Sequence, residues 1–285
     1  MYRFIILPFV GTPSLDVCLF LLLITDTILI AAGGYIINDI HDHRADMVNK
    51  PSLTFIPSLI SLKAAGIYYK FILLTGLIIA LYIGQRIHQM HMVLIYPVGS
   101  ALLYMYSVKY KNTVIWGNVI VSVFVAFVSG IVLIAERASI VSIVDPKTMN
   151  LVIELFVVYM IFSFLVNMIR EIVKDLEDAE GDTLSGGVTF GIRYGMQSAV
   201  KLSVILAILT ILAIIGWLMW TNVPFELRSA VFLLLFVAAP LVSIIQILTK
   251  SNHKSDFTKI STILKWTMVA GLGSIVLISS TLTSE

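Results

Sequence analysis

Eight times along this chain a run of roughly twenty predominantly apolar residues recurs between charge, proline or asparagine: Leu15–Ile37, Ala64–Ile83, Met92–Val108, Ile115–Ala135, Leu151–Ile172, Ala199–Trp220, Ser229–Leu248 and Ile260–Leu282. A helix of about 20 apolar residues crosses the hydrocarbon core of a bilayer, and a helix satisfies its own backbone hydrogen bonds there. Hydrophobic residues make up 59% of the chain and charged residues 13%, against about 25% charged in a soluble domain. The expected fold is all-α, a polytopic transmembrane helical bundle of eight spans, the second and third being the shortest.

The net charge of +2 is nearly balanced, but its distribution is not. If the spans alternate, one side receives Arg44, Lys50, Lys63, Lys109, Lys111, Arg170, Lys174, Arg193, Lys201, Lys250, Lys254 and Lys259; the other receives Arg3, Arg86, Arg137, Lys147 and Arg228. Lys70 and Lys265 fall at span edges. Cytoplasmic loops carry the excess of Lys and Arg, so the rich side is expected to be cytoplasmic and both termini external. The first run begins with Asp16 rather than a basic region, unlike a signal peptide. The single cysteine, Cys18, excludes an internal disulfide framework and is expected to be a small buried hydrophobe. No glycine-rich strand-to-helix turn and no Cys-x-x-Cys-His occurs, so neither a nicotinamide nor a haem site is indicated, and no nucleic-acid signature is present.

Directly after the first span comes Asn38-Asp39-Ile40-His41-Asp42-His43-Arg44-Ala45-Asp46. Asp39, Asp42 and Asp46 stand at i, i+3 and i+7, which stacks three carboxylates on one helical face. Like charges so placed repel unless a cation lies among them. The spacing recurs after the fifth span as Asp175, Asp178 and Asp182. An even number of spans separates the two triads, so alternation brings both to the side rich in Lys and Arg. Paired carboxylate triads can share hard cations. Magnesium is typically held by one or two carboxylates together with substrate phosphate oxygens, so the pattern implies a phosphorylated substrate. On the same side lie Lys109 and Lys111, after Tyr106-Ser107-Val108, and Arg170, Lys174 and Arg193 around the second triad. Together they read as a diphosphate clamp, since fixed cations and metal stabilise a leaving group's charge.

These motifs resemble those of the UbiA superfamily of intramembrane prenyltransferases. Asn38 to Asp46 match its first signature, N-D-x-x-D-x-x-x-D, and Arg170–Asp182 with Gly186-Gly187-Val188-Thr189-Phe190-Gly191-Ile192-Arg193-Tyr194-Gly195 is most similar to the branch containing the geranylgeranylglyceryl phosphate transferases. Tyr106-Ser-x-Lys109-x-Lys111 and Gly117-Asn118 fall where that branch places them. The resemblance implies a single transmembrane prenyltransferase domain over residues 1–285, in an inner (cytoplasmic) membrane with the site facing the cytoplasm. It implies magnesium on Asp39, Asp42, Asp46, Asp175, Asp178 and Asp182, with Asp39, Asp42, Asp175 and Asp178 catalytic. It further implies an isoprenyl diphosphate bound by Asn38, Tyr106, Lys109, Lys111, Arg170, Lys174 and Arg193, and a lipophilic acceptor that attacks the allylic cation left when diphosphate departs. The acceptor leans towards geranylgeranylglyceryl phosphate, with an aromatic acid open.

The sequence departs from the family twice. Nine spans are usual and eight are found, the family's first helix being reduced to Met1–Val10, so either the start lies upstream or the chain is an incomplete paralogue. The segment Asn49-Lys50-Pro51-Ser52-Leu53-Thr54 lacks the arginine common there. A catalytically silent scaffold derived from the enzyme therefore stays open, as does a cation carrier, although a carrier binds near the midplane and these acids lie at span ends.

Of the smaller features, Asp26 sits in mid-span, where a charge is costly, and should face the bundle interior. At 1.5 Å per residue it lies roughly 18 Å from Asn38, too far to join the metal site. His41 and His43 are read as loop-side polar residues among oxygen ligands. Gly33, Gly34, Gly216, Gly271 and Gly273 are read as close helix contacts.

Overall fold

A computed structural model describes residues 1–49, 55–111, 113–184, 186–221, 223, 226–251 and 253–282, without the side chains of residues 44–46, 48, 49, 180 and 184. Its eight long apolar helices are α1 (Val17–Asn49), α2 (Leu62–Arg86), α3 (Met90–Tyr110), α4 (Trp116–Ala135), α5 (Pro146–Leu184), α6 (Met196–Trp220), α7 (Leu227–Leu248) and α8 (Lys254–Leu282). The two spans expected to be shortest are longer than the sequence suggested, because polar residues at their ends continue the helical turns. The described residues contain no strand. The segment Lys50–Thr54, with its missing arginine, lies outside the described residues.

Starts and stops follow from local chemistry. Asp16 caps α1, its Oδ1 accepting from the Leu19 amide at 2.8 Å, and the Ser61 hydroxyl accepts from the Ala64 amide at the start of α2. Asp145 accepts from the amides of Lys147 and Thr148 and from the Thr148 hydroxyl, with Pro146 as the first residue of α5. Orphan helix N–H groups thus find an acceptor. The Thr148 bonds, then the Lys147 amide, hold the Asp145 carboxyl below the usual carboxylate range. Within α7 a wide π turn, Leu234–Ala238, precedes Pro240, as expected where proline removes a donor and displaces the carbonyl a turn earlier.

The helices form two compact units, Ser14–Ile120 and Met1–Pro13 with Val121–Glu285. In the Ser14–Ile120 unit α1 packs on α2 and α3. Leu15, Leu19, Leu23, Asp26, Ile30, Gly33 and Ile37 make one buried stripe, while Val17, Leu21, Ile24, Ile28 and Tyr35 face outward. Asp26 occupies a position in the buried stripe and is 6% exposed, as its cost in lipid requires. Cys18 instead is exposed: it lies in the first turn of α1 beside Val17 and off the stripe, and an apolar environment outside the bundle accepts a thiol as well as the core does. Gly34 meets Leu103 and Gly76 meets Tyr96 so closely that a Cβ would stand 2.9 and 2.1 Å from their side chains. The Tyr96 hydroxyl donates to the Ile72 carbonyl at 3.0 Å in the same contact. Gly271 and Gly273 have nothing within 4 Å, and Gly216 meets only Trp220 of its own helix; these three are not interhelical contacts.

In the second unit α5 is central, burying Val152, Leu155, Tyr159, Val166, Ile169, Val173 and Leu176 against α6 and α8. Polar pins fasten this packing. The Glu154 carboxylate accepts from Trp217 Nε1 at 2.7 Å and from the Thr221 hydroxyl. Tyr159 and Ser274 hydroxyls lie 2.5 Å apart, and Asn167 Nδ2 donates to Ser122 Oγ at 3.2 Å. Near the chain start, the short helical turn Tyr2–Ile6 is held by Ser279 Oγ donating to the Phe4 carbonyl at 2.6 Å.

Candidate functional site

Both acidic motifs are continuations of spanning helices rather than loops. Helix α1 runs unbroken through Asn38, Asp39, His41, Asp42 and His43 to Asn49, and α5 through Arg170 to Leu184. The reading of His41 and His43 as loop-side residues is corrected accordingly. Apolar burial fixes each helix inside its unit, and in α5 it continues into the motif itself at Ile172, Val173 and Leu176.

In the Ser14–Ile120 unit Asp39 is exposed, while Asn38 and Asp42 are half-buried. The side chain of Asp46 lies outside the described residues. At its end α3 widens into a π turn, Tyr106–Tyr110, closed by the Lys111 amide donating to the Tyr106 carbonyl at 2.8 Å. The turn carries Lys111 to Asp42, with which it forms an ion pair; the two side chains are 34% and 17% exposed. Lys109 is exposed, its ammonium 5.6 Å from the Tyr110 ring centroid, so only one of the two lysines is engaged with the first motif, as a helical spacing requires. Tyr106 is half-buried. His41 meets Tyr104 edge-on at 6.0 Å, and His43 Nδ1 lies 2.8 Å from the Ile40 carbonyl oxygen. Gly117 decides how closely α4 approaches the lysine segment: a Cβ there would stand 3.0 Å from the Tyr110 carbonyl oxygen and 3.2 Å from that of Lys111.

In the second unit Asp175, Asp178 and Asp182 lie half-exposed along one stripe of α5. Arg170 pairs with Glu171 at 2.5 Å, Lys174 is exposed, and Arg193 is exposed with its guanidinium 5.9 Å from the Tyr194 ring. Helix α5 stops in a Schellman arrangement. The Gly187 amide donates to the Asp182 carbonyl at 2.7 Å and the Gly186 amide to that of Thr183 at 3.2 Å, with Gly186 at φ +79°, a left-handed conformation natural to glycine. Gly191 then lets the short helix Phe190–Tyr194 settle on Leu176, 2.8 Å from where a Cβ would be. Two acidic residues that the triad spacing does not single out are engaged as well. Glu171 holds Arg170, and Glu177 accepts from Thr258 of α8 at 2.9 Å. Their signal was their place one turn before and one residue before the triad members Asp175 and Asp178.

Among the described residues no three His, Cys, Asp or Glu side chains group closely enough to hold a metal by themselves. The donors that are present are carboxylate oxygens, exposed or half-exposed at span ends. This fits magnesium, which keeps several waters and is held by one or two carboxylates and substrate phosphates rather than by a full protein cage. Soft-metal ligands are lacking at the described positions of both motifs, where the two histidines are engaged with a ring and a backbone oxygen.

A family model described as the UbiA prenyltransferase family matches residues 5–269. A digeranylgeranylglyceryl phosphate synthase from Methanococcus aeolicus is 32% identical over 170 residues, covering 60% of this chain and 54% of that one. The chain spans between about half and two thirds of the length of several curated relatives that it matches. A solved structure concerned with digeranylgeranylglyceryl phosphate synthase in membranes superposes with a TM-score of 0.68 at 25% identity, covering 93% of this chain and 87% of that one. A UbiA homologue from Archaeoglobus fulgidus, solved bound to GPP and Mg2+, has the same fold, with a TM-score of 0.59 at 16% identity over 93% and 90% of the two chains. With the match extending over nearly its whole length, this integral membrane chain belongs to the UbiA prenyltransferase family.

Proposed function

We propose that the chain transfers a prenyl group from an isoprenyl diphosphate to the hydroxyl of a geranylgeranylglyceryl phosphate-like lipid, with magnesium, at the cytoplasmic side of an inner membrane. The observation that carries this reading is the pair of spanning helices, α1 and α5, that each continue past their apolar run into carboxylates at i, i+3 and i+7. The relatives named digeranylgeranylglyceryl phosphate synthase support the acceptor class, and the Archaeoglobus homologue's GPP and Mg2+ support the donor and the metal.

In this reading Asp39, Asp42, Asp46, Asp175, Asp178 and Asp182 would hold magnesium, which supplies charge neutralisation for a departing diphosphate. Asn38, Tyr106, Lys109, Lys111, Arg170, Lys174 and Arg193 bind and orient the diphosphate. Its C1–O bond breaks with the electron pair leaving on oxygen, so positive side chains help most as that charge develops. The acceptor oxygen bonds to C1 and its proton is released to solvent or to the diphosphate. The acids lie past the apolar runs and beside lysines, an arrangement ill suited to a carrier that must hold a cation at mid-membrane.

The test is transfer by the purified chain in lipid nanodiscs, with geranylgeranyl diphosphate and either geranylgeranylglyceryl phosphate or an aromatic acid. Magnesium-dependent ether formation with the glycerol lipid is expected. Transfer only to the aromatic acid would replace the acceptor; magnesium-dependent diphosphate binding without transfer to any acceptor would mark a silent scaffold.

A further inference from the structure

We propose that Lys111 is a stand-in cation at the first acidic motif, holding Asp42 until diphosphate arrives, so that a divalent metal enters together with diphosphate and not ahead of it. The inference rests on the reading of Asp42 as a metal ligand and of the substrate as a diphosphate.

The resting partner of Asp42 is the Lys111 ammonium, in a half-buried pair. The backbone that carries Lys111 is pinned: its amide donates to the Tyr106 carbonyl at 2.8 Å, and the Thr113 hydroxyl donates to the Tyr110 carbonyl at 2.6 Å. The start of α4 closes on the same backbone at Gly117. Movement is therefore left to the flexible side chain, whose 34% exposure gives it an outward path. A metal arriving alone must displace the ammonium from the carboxylate and break an ion pair in a partly desolvated position, which is costly. Diphosphate removes that cost, because its oxygens complete the metal's coordination and accept from Lys111. Lysine suits such an exchange: its ammonium is a point charge on a flexible stem, whereas arginine's planar fork is built for a fixed bidentate partner. Lys109, two residues away, has its ammonium over the Tyr110 ring and takes no part in the exchange. By linkage, the factor by which diphosphate tightens metal binding is the factor by which metal tightens diphosphate binding.

The experiment titrates the full chain in nanodiscs with Mn2+ alone and with Mn2+ plus inorganic diphosphate, following free Mn2+ by electron paramagnetic resonance and subtracting protein-free mixtures. Relative to wild type, Lys111→Met is expected to bind Mn2+ alone about threefold to fivefold more tightly, the upper part of the range for loss of one partly exposed ion pair, and to bind diphosphate more weakly. Adding Asp42→Asn to Lys111→Met should abolish the gain. Lys109→Met, the same change in net charge, should stay within about twofold of wild type, and Lys111→Arg, whose fork holds a carboxylate at least as firmly, should bind Mn2+ alone no more tightly than wild type. Unchanged Mn2+ affinity in a folded Lys111→Met, or an equal gain in Lys109→Met, overturns the inference while leaving the proposed reaction standing. If diphosphate leaves wild-type Mn2+ binding unaffected, both the inference and the proposed use of the site fall.

Discussion

Gly117→Ala tests whether the α4 contact positions the lysine segment. The new methyl would lie 3.0 Å from the Tyr110 carbonyl oxygen, 3.2 Å from that of Lys111 and 3.4 Å from Lys111 Cα. All three are backbone atoms, so no rotamer change relieves the contact. Moving the closest oxygen out to ordinary contact requires a shift of about 0.4 Å. Overpacking of this kind costs about 1–3 kcal/mol. Replacing glycine by alanine in a helix returns about 0.5–1 kcal/mol, leaving a net loss of up to about 2.5 kcal/mol. A misplacement of about 1 Å can cost 100-fold in rate, so a shift of about 0.4 Å in the segment bearing Lys111 should lower kcat/KM about threefold to tenfold. Prenyl transfer and thermal unfolding in nanodiscs would be measured beside Gly66→Ala in α2, where nothing lies within 4 Å of the added methyl. That control should gain up to about 1 kcal/mol and keep full activity. Gly117→Ala matching Gly66→Ala in both assays would refute the reasoning.

Asp39→Ala and Asp175→Ala should each abolish transfer while the protein inserts and unfolds normally; wild-type rates in a chelator would remove magnesium from the scheme. In a Cys18→Ala background, single cysteines at Thr113 and Val188 should be labelled only from the cytoplasm and one at Ser142 only from outside, and the reverse pattern would overturn the orientation drawn from the lysines and arginines. Glu154→Ala removes the acceptor shared by Trp217 and Thr221 and should cost about 1–3 kcal/mol in thermal stability. Glu154→Gln, which keeps an acceptor oxygen, should lose less, and equal losses would show that the hydrogen bonds are not what matters there.

Span number, span order, the two carboxylate triads and the crowd of basic residues near them were legible in the sequence, because the cost of burying charge in lipid confines polar groups to span ends. What the sequence could not distinguish was the inward from the outward face of each span. Lipid is as apolar as a helix interface, so Leu19 and Leu21 read alike although one is buried and the other is not. Cys18 was misjudged for that reason, whereas Asp26 announced its own face because a carboxylate has only one tolerable direction. The same ambiguity made Gly34 and Gly273 indistinguishable until packing set Leu103 against one and nothing against the other. Periodicity put the three carboxylates of each triad in line, and only the π turn at the end of α3 decided that Lys111, and not Lys109, would meet Asp42. That choice depends on how tightly the backbone winds and on how closely α4 can approach, quantities fixed by tertiary contact at Gly117 and carried by no local pattern of residues.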